Sequence, residues 1–487
     1  MSRFKKIATL SLGQGINVLV GFLFLPYMAR LLPVEDYGTY GQVLLIVSFT
    51  IALFSFGLSQ IIYVYLNRGE NKREILISNI YACFILGLIA SAGLYFLSDS
   101  FSEFLSNPKL ATPLRFYAFA PALVIPFTSL NAFLIYKEAI KKSISISVCT
   151  NLVKVFLVVG IIHYYGSISL IIIALLLVHL IQLVWVAFSI KKHLILKTEF
   201  GLIYEQIVNG FPLALTGILG TGILYIDGLM VSKFLGVQQY AIYRNGALEV
   251  PYISTIYSSI AAIIMPEVAQ LFAREKFNEI AKLKRKVITN TMVLIYPILV
   301  FLLFNSNEII VLYLGEKYVA SGVVFATYNL ILLIRVNGYN DILIAANKGN
   351  VLLKYYAVIF ILNSVLNIIL IHLLGVNGAA IATVISLFVF AFLLLNKSLK
   401  LIGSKFLEIL DLKAILKLLL FCTISALLLY FFKAYFDKKL YYILFSASVY
   451  FPAVIVFVLR NGFLSPSVKE SMFGKINKLF KKSQIDK

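Results

Sequence analysis

Three cysteines in 487 residues, one tryptophan, four histidines and 22 acidic residues against 43 basic ones leave this chain few of the usual chemical tools. Cys83, Cys149 and Cys422 stand in or at the edges of apolar runs, with no CxxC spacing and no histidine partner. They imply neither a disulfide framework nor a zinc site, and read as small core hydrophobes. The GxxxxGK[ST] pattern of a nucleotide-binding loop is missing, which removes ATP hydrolysis by this chain as a drive. Long polar connections are missing too. The longest one away from the basic segments, SDSFSEFLSNPKLATP (98–113), carries no convergent acid–base pair, which disfavours an enzyme that must hold an acceptor outside the bilayer.

What is present is apolar. Hydrophobic residues make up 61% of the chain and charged residues 13%, with a mean hydropathy of +0.93, far from the balance of a soluble domain. Apolar runs long enough to cross a bilayer of about 30 Å recur about fourteen times. They cover approximately 7–29, 41–63, 75–97, 115–136, 144–165, 168–190, 209–231, 242–265, 287–308, 323–346, 352–374, 377–396, 414–436 and 440–459. Stretches such as ISLIIIALLLVHLIQLVWVAF are apolar on every face, so helices rather than barrel strands are expected. The first run is too long for a removable signal peptide and lacks a small-residue cleavage site, so it is expected to stay as the first helix. The fold class expected is therefore an all-α polytopic membrane protein.

A formal charge of +21 would suggest nucleic acid in a soluble protein. Here the basic residues gather at the N-terminus, in alternate loops (RGENKRE, KEAIKK, KKHLILK, AREKFNEIAKLKRK, NKGNVLLK, NKSLKLIGSK) and in the tail. The positive-inside rule then puts both termini in the cytoplasm, in agreement with an even number of spans. No basic block carries an RNA- or DNA-binding signature, so nucleic acid is not an expected partner. In the tail, Val468, Met472, Phe473, Ile476, Leu479 and Phe480 recur near helical period among lysines. That pattern suits either a helix on an anionic leaflet or a frayed solubilising end.

The chain also repeats itself. RLLPVEDYGTY (30–40) returns as KFLGVQQYAIY (233–243) at an offset of 203, matching Leu32 with Leu235, Val34 with Val237, Tyr37 with Tyr240 and Tyr40 with Tyr243. Farther on the offset is 209: LNAFLIYKEA (130–139) faces YNDILIAANK (339–348), IIHYYG (161–166) faces LIHLLG (370–375), and EFLSNPKLA (103–111) faces LYLGEKYVA (312–320). Spans one to six thus echo spans seven to twelve. An even number of helices per unit gives two lobes related by an axis along the membrane normal, a common transporter plan with a central site. The expected lobes are 1–190 and 207–398, followed by two additional helices (414–459) and a basic tail (460–487).

GQGINVLVGFLFLPYMARLLPVEDYGTY resembles the opening of polysaccharide (O-antigen type) flippases of the multidrug/oligosaccharidyl-lipid/polysaccharide exporter superfamily. LYLGEKYVASG and LLGVNGAAIAT resemble that group's later landmarks. The pattern departs at Pro33, where a glycine is usual, and at Ala241, opposite Gly38. The resemblance implies transport of a short oligosaccharide on undecaprenyl diphosphate from the cytoplasmic to the outer leaflet of a bacterial inner membrane. It implies membrane lipid and that glycan as partners, a glycan polymerase as a candidate partner, a monomer, no cofactor, and a proton or sodium gradient as drive. A peptidoglycan lipid-precursor flippase and a multidrug or cation exporter of the same superfamily remain open alternatives. A membrane glycan polymerase or ligase is the least favoured.

Chemistry selects the candidate residues. Bare sugar hydroxyls entering hydrocarbon cost several kcal/mol each, on the order of 4–8. A hydrophilic cavity removes that cost, and a diphosphate favours cations inside it. Lys154, in span five, and Arg335, in span ten, sit at mid-membrane positions where an unpaired charge is expensive. Either they contact the diphosphate, with Arg30 and Arg244 near the outer mouth, or they form structural pairs with Glu249, Asp227 or Asp341. The three acids and His179 are the candidates for ion coupling or proton relay. Asp227 lies near the expected outer end of span seven, where solvated capping is the plainer expectation. Pro121, Pro126, Pro212, Pro251 and Pro297 and the glycines of span seven are expected either to permit bending or to allow close packing.

Overall fold

The computed structural model describes residues 3–68, 71–194, 200–250 and 253–463, and every regular element among them is helical. Pro251 and the candidate tail helix lie outside the described residues. The chain begins with α1 (Arg3–Leu31), turns at Pro33 into α2 (Val34–Phe54), and passes a left-handed Phe56–Gly57 step into α3 (Leu58–Arg68). Next, α4 (Lys72–Phe96) is capped by Asn71, whose side chain accepts from the Glu74 amide and donates to the Glu74 carboxylate. Two short helices, α5 (Ser98–Phe104) and α6 (Ala111–Tyr117), lead to α7 (Ala120–Tyr136), with Pro121 tolerated in its first turn. Then α8 (Ile140–Tyr164) and α9 (Ile168–Ser189) form an antiparallel pair.

The later helices are α10 (Phe200–Gly246), α11 (Ile253–Ala273), α12 (Phe277–Leu314), α13 (Ser321–Asn329), α14 (Asp341–Ala345), α15 (Gly349–Leu374) and α16 (Val376–Ile402). The chain continues through α17 (Phe406–Ile409), α18 (Leu412–Phe431) and α19 (Lys439–Arg460). Among the described residues, 11 helical segments are long and apolar enough to cross a bilayer. Three shorter apolar helices, Gly15–Leu31, Ser259–Ala273 and Ser321–Leu333, overlap the expected spans one, eight and ten in part; for span eight the overlap is confined to the end of the expected 242–265, because α10 runs on to Gly246.

Span ten departs from expectation. Instead of one helix over 323–346, α13 tightens into a 3-10 turn at Leu330–Leu333, and the chain stays non-helical until Asp341. The sequence VNGYND (336–341) is rich in turn formers, and it competes successfully with an apolar context. Backbone freed at that depth needs partners. The Leu333 carbonyl accepts from Tyr296 Oη at 3.0 Å, the Ile334 carbonyl from Tyr339 Oη at 2.9 Å, and the Gly338 carbonyl from Lys284 Nζ.

The chain divides into two compact units, Met1–Asn245 with Tyr356–Thr383, and Gly246–Tyr355 with Val384–Lys487. In the first, Ile62, Leu66, Leu76, Phe133 and Val186 anchor a core to which α3, α4, α7 and α9 contribute. In the second, the long α12 packs against α11, α13, α18 and α19. It bends at Asn305 (φ −117°), eight residues beyond Pro297. Asn305 Nδ2 donates to the Phe301 carbonyl at 2.8 Å, and Tyr450 Oη donates to the Pro297 carbonyl at 3.0 Å. The bend is thus held by side chains that replace regular ladder bonds.

Backbone conformation repeats where the sequence does. Left-handed residues occur at Ser106 and Gly315 (φ 51° and 100°), at Glu138 and Asn347 (59° and 55°), and at Gly166 and Gly375 (60° and 60°). Each pair is separated by the 209-residue offset. The earlier copies of the loop do more than match, because they touch. A Cβ on Gly38 would lie 2.5 Å from the Val237 carbonyl oxygen, so only glycine permits this approach. Tyr240 Oη donates to the Gly41 carbonyl at 3.1 Å, and Tyr37 Oη donates to Asn245 Oδ1 at 2.8 Å. Gly236 (φ 82°) breaks α10 at the position matching Pro33, which turns α1 into α2.

Candidate functional site

Asp227 is the most enclosed of the predicted residues. The helix does not end near 231 as expected. It runs on to the Gly236 kink and then to Gly246, so Asp227 is 1% exposed rather than a solvated cap. Tyr243 Oη, beyond the kink, donates to its carboxylate at 3.0 Å, Asn367 Nδ2 of α15 at 2.6 Å, and Thr383 Oγ1 of α16 as well. All three donors are neutral. Among the described residues no Lys, Arg or His stands within ion-pair distance of it, unlike the other buried acids. Asn367 Oδ1 is buried beside it with no hydrogen-bond partner. A buried carboxylate and an orphaned carbonyl acceptor form a site short of positive charge, suited to a proton or a small monovalent cation. Among the described residues no group of three His, Cys, Asp or Glu side chains could hold a metal ion.

Lys154 lies in the same unit, half-buried in the middle of α8, with no carboxylate within ion-pair distance among the described residues. Its neighbourhood is polar. It acts electrostatically on His179 of α9. Tyr117 Oη lies 2.9 Å from His179 Nε2, His179 Nδ1 lies 3.1 Å from Gln182 Oε1, and Gln182 Nε2 donates to Thr150 Oγ1 at 2.8 Å. One residue on, Asn151 Nδ2 donates to Asn17 Oδ1 of α1 at 2.6 Å. His179 is thus a hydrogen-bonded member of this chain. Together α8 and α9 carry a partly buried cation and, on the same pair of helices, a run of hydroxyl, amide and imidazole groups, a chemistry able to hold phosphate oxygens and sugar hydroxyls.

The other candidates are placed differently. Arg335, in the unwound part of span ten, pairs with Glu249 at 2.8 Å, both partly exposed, and its guanidinium lies 5.7 Å from the Tyr257 ring centre. This is one of the structural pairs the sequence left open. Asp341 pairs with Lys284 at 2.5 Å and accepts from the Ile342 amide at 2.8 Å, so its charge is already matched. Lys284 corrects the sequence reading, which counted it among loop charges. It is 2% exposed because α12 begins at Phe277 and carries it inward. Arg244 lies over Tyr37 and Tyr40, with its guanidinium carbon 5.1 and 5.4 Å from the ring centres, at the contact of the two loop copies. Arg30 is exposed at the end of α1. The four cationic candidates do not form one cluster within either unit. Lys154, Arg244 and Arg30 belong to the first unit and Arg335 to the second.

Sequence reasoning missed Asn367, Thr383 and Tyr243 as partners of Asp227, and Lys284 as partner of Asp341. A faint signal existed for the first set, since Asn363, Asn367 and Thr383 are polar residues inside otherwise apolar spans.

Comparison with known proteins agrees with this architecture. An uncharacterized membrane protein of Methanocaldococcus jannaschii is 24% identical over 436 residues, covering 80% of this chain and 84% of its own. A probable low-salt glycan biosynthesis flippase of Haloferax volcanii, Agl15, is 27% identical over 170 residues, 33% of this chain and 35% of its own. Among solved structures, the lipid II flippase MurJ in an inward closed conformation superposes with a TM-score of 0.71 at 19% identity, covering 93% of this chain and 99% of that one. An inward-facing multidrug resistance MATE family transporter of the MOP superfamily gives 0.64 at 13% identity, covering 82% and 98%. These likenesses show a shared helical fold. The profile of one family matches residues 27–323, more than half of the chain, and on that match the protein belongs to the polysaccharide biosynthesis protein family.

Proposed function

We propose that this protein is a flippase that carries an oligosaccharide linked to undecaprenyl diphosphate from the cytoplasmic to the outer leaflet, by ion-coupled alternating access. The observation that carries this reading is Lys154: a cation in the middle of an apolar helix, without an acidic partner among the described residues, on the same helix pair as a chain of sugar-compatible polar groups and within electrostatic reach of its His179. Family membership supplies the glycan, and Lys154 supplies the reason an anionic carrier would be bound. A cationic drug would be repelled at that position. Arg335 and Arg244, each with its charge or face already engaged, serve as secondary contacts, and Arg30 lies nearest the outer mouth.

In this reading the Asp227 box holds the coupling ion, proton or sodium, and the two halves 1–190 and 207–398 exchange access to the site. Glu249, Asp341 and His179 then act as structural partners of Arg335, Lys284 and the Tyr117–Gln182 chain. Both termini face the cytoplasm, the protein works as a monomer in the inner membrane, and a glycan polymerase receives the flipped product.

The test is reconstitution of the purified protein in liposomes with a fluorescent undecaprenyl-diphosphate oligosaccharide, read by quenching of the label exposed outside. Wild type is expected to equilibrate the lipid between leaflets, and Lys154→Ala to lose at least tenfold in rate while remaining folded in the membrane. Transfer of lipid II at the same or higher rate would favour the peptidoglycan-precursor reading. Full activity of Lys154→Ala would remove that residue from the site.

A further inference from the structure

The lipid-facing surface of α8 and α9 carries a feature that the transport reading does not use. Along α9, Leu180, Ile181, Val184, Trp185 and Phe188 line an open groove of about 480 Å³. Their spacing puts them on one face of the helix, and each is between 38% and 66% exposed. Trp185 is the only tryptophan in the chain. Trp185 and Phe188 also line a second groove of about 420 Å³, completed by Lys141, Lys142 and Ser145 of α8 and Ser189 of α9. The two hollows adjoin at the aromatic pair that lines both. Lys191 Nζ sits 4.2 Å from the centre of the Phe188 ring, adding a third cation at the same end. Glu138, in the preceding turn, does not line the groove.

The order of these groups along the membrane normal is that of a phospholipid. Cations and hydroxyls stand at the basic end of the helices, the tryptophan at the level where its ring borders water, and bare aliphatic surface lies deeper. We propose that this groove binds an anionic phospholipid. Its phosphate sits between Lys141 and Lys142 with Ser145 and Ser189 in reach, Trp185 lies under the glycerol, and an acyl chain runs along Leu180, Ile181 and Val184. Charge decides the headgroup, since three lysines and no lining acid attract an anion and offer a zwitterion's ammonium no partner. The position decides the source. The groove is open at the surface and lies on a face of α8 and α9 other than the one that carries the His179–Gln182–Thr150 chain.

Native mass spectrometry of the full chain released from nanodiscs containing phosphatidylglycerol and phosphatidylcholine tests the proposal. Wild type is expected to retain one phosphatidylglycerol in preference to phosphatidylcholine. The double variant Lys141→Ala/Lys142→Ala should retain it about 30-fold less, as expected for two interfacial lysines. Trp185→Ala should weaken retention while leaving the headgroup preference. Each variant is checked for an unchanged thermal midpoint, and Lys141→Arg/Lys142→Arg should restore binding if the first pair misfolds. Equal retention by wild type and the double alanine variant overturns the proposal. So does loss of the lipid to millimolar inorganic phosphate, which would mean an anion site without a chain groove. Displacement by equimolar undecaprenyl phosphate overturns the choice of a phospholipid.

Discussion

At the scale of single residues, the contrast between the buried acids decides their roles. Asp341 has Lys284, and Glu308 has Lys433, whereas the partners of Asp227 among the described residues are hydroxyls and carboxamides. An acid in apolar surroundings whose donors are all neutral remains ionised only at a cost that a cation would offset. Asp227→Asn is therefore expected to fold, since the carboxamide oxygen can still accept from Tyr243 and Thr383, and to lose the dependence of transport on the ion gradient. The measurement is flipping in liposomes with sodium exchanged for choline, or with the pH gradient collapsed, for wild type and variant. A variant that still responds to a gradient would place coupling elsewhere. Arg335 behaves differently. Its truncation leaves Glu249 without a partner, but both groups retain access to water, so Arg335→Ala should cost no more than about 1 kcal/mol of stability. The readout is the thermal midpoint in detergent.

At the scale of elements, the broken tenth span depends on α12. Lys284 binds both the Asp341 carboxylate and the Gly338 carbonyl, so one ammonium satisfies the charge at the start of α14 and the backbone of the non-helical stretch before it. Removing either partner strands the other in a buried site, and Lys284→Met or Asp341→Leu alone should destabilise by about 3–5 kcal/mol. The double variant should recover much of that loss, and a thermal-midpoint cycle checks the coupling. A second element carries its own pH signature. Asp411 caps α18 by accepting from the Ala414 amide at 3.1 Å and from Arg285 at 2.7 Å. The Arg285 bond, foremost, holds its carboxyl below the usual range, followed by the Ala414 amide. A carboxyl depressed in the folded state stabilises above its ordinary value near 4 and ceases to do so as pH falls through the depressed value. Asp411→Ala should lower stability by about 1 kcal/mol at pH 7, with the gap to wild type closing on acidification below pH 4. These two elements also mark where sequence stops being legible. Hydropathy located the apolar stretches, because twenty apolar residues have few other options. It could not see that VNGYND unwinds a helix, nor that Lys284 enters the interior, because averaging over a span hides one turn and a basic flank looks like a loop.

At the scale of the molecule, the repeat was legible as sequence and its physical consequence was not. The two loop copies were expected as equivalent turns in separate lobes, yet Gly38 and Val237 are in contact and Tyr240 reaches the Gly41 carbonyl. Such pairing depends on shape at a distance of two hundred residues, which no local pattern encodes. The same helix that carries the second copy is tied at both ends. Toward Gly236, Ser232 Oγ accepts from Gln42 Nε2 at 2.5 Å, and Asn107 Nδ2 donates to Gln42 Oε1 at 2.6 Å. Near the start of α10, Gln206 Oε1 accepts from Asn79 Nδ2 at 2.7 Å, and Gln206 Nε2 donates to Ser78 Oγ at 2.6 Å. The two ties are separated by 26 residues, about 39 Å along the helix. Ser232 and Gln206 both lie on α10, the helix that opens the second repeat, and Gln42 and Asn79 lie on α2 and α4 of the first. If the repeats rock against each other about the membrane centre, an opening at either end must break the tie there and preserve the other. Cross-linking each tie in turn should therefore stop transport completely. In a background with Cys83, Cys149 and Cys422 replaced, Gln42→Cys/Ser232→Cys and Asn79→Cys/Gln206→Cys are each expected to abolish flipping when oxidised and to regain it on reduction. A disulfide formed at either end without loss of transport would mean that α10 does not separate from that partner, and alternating access between the repeats would have to be abandoned.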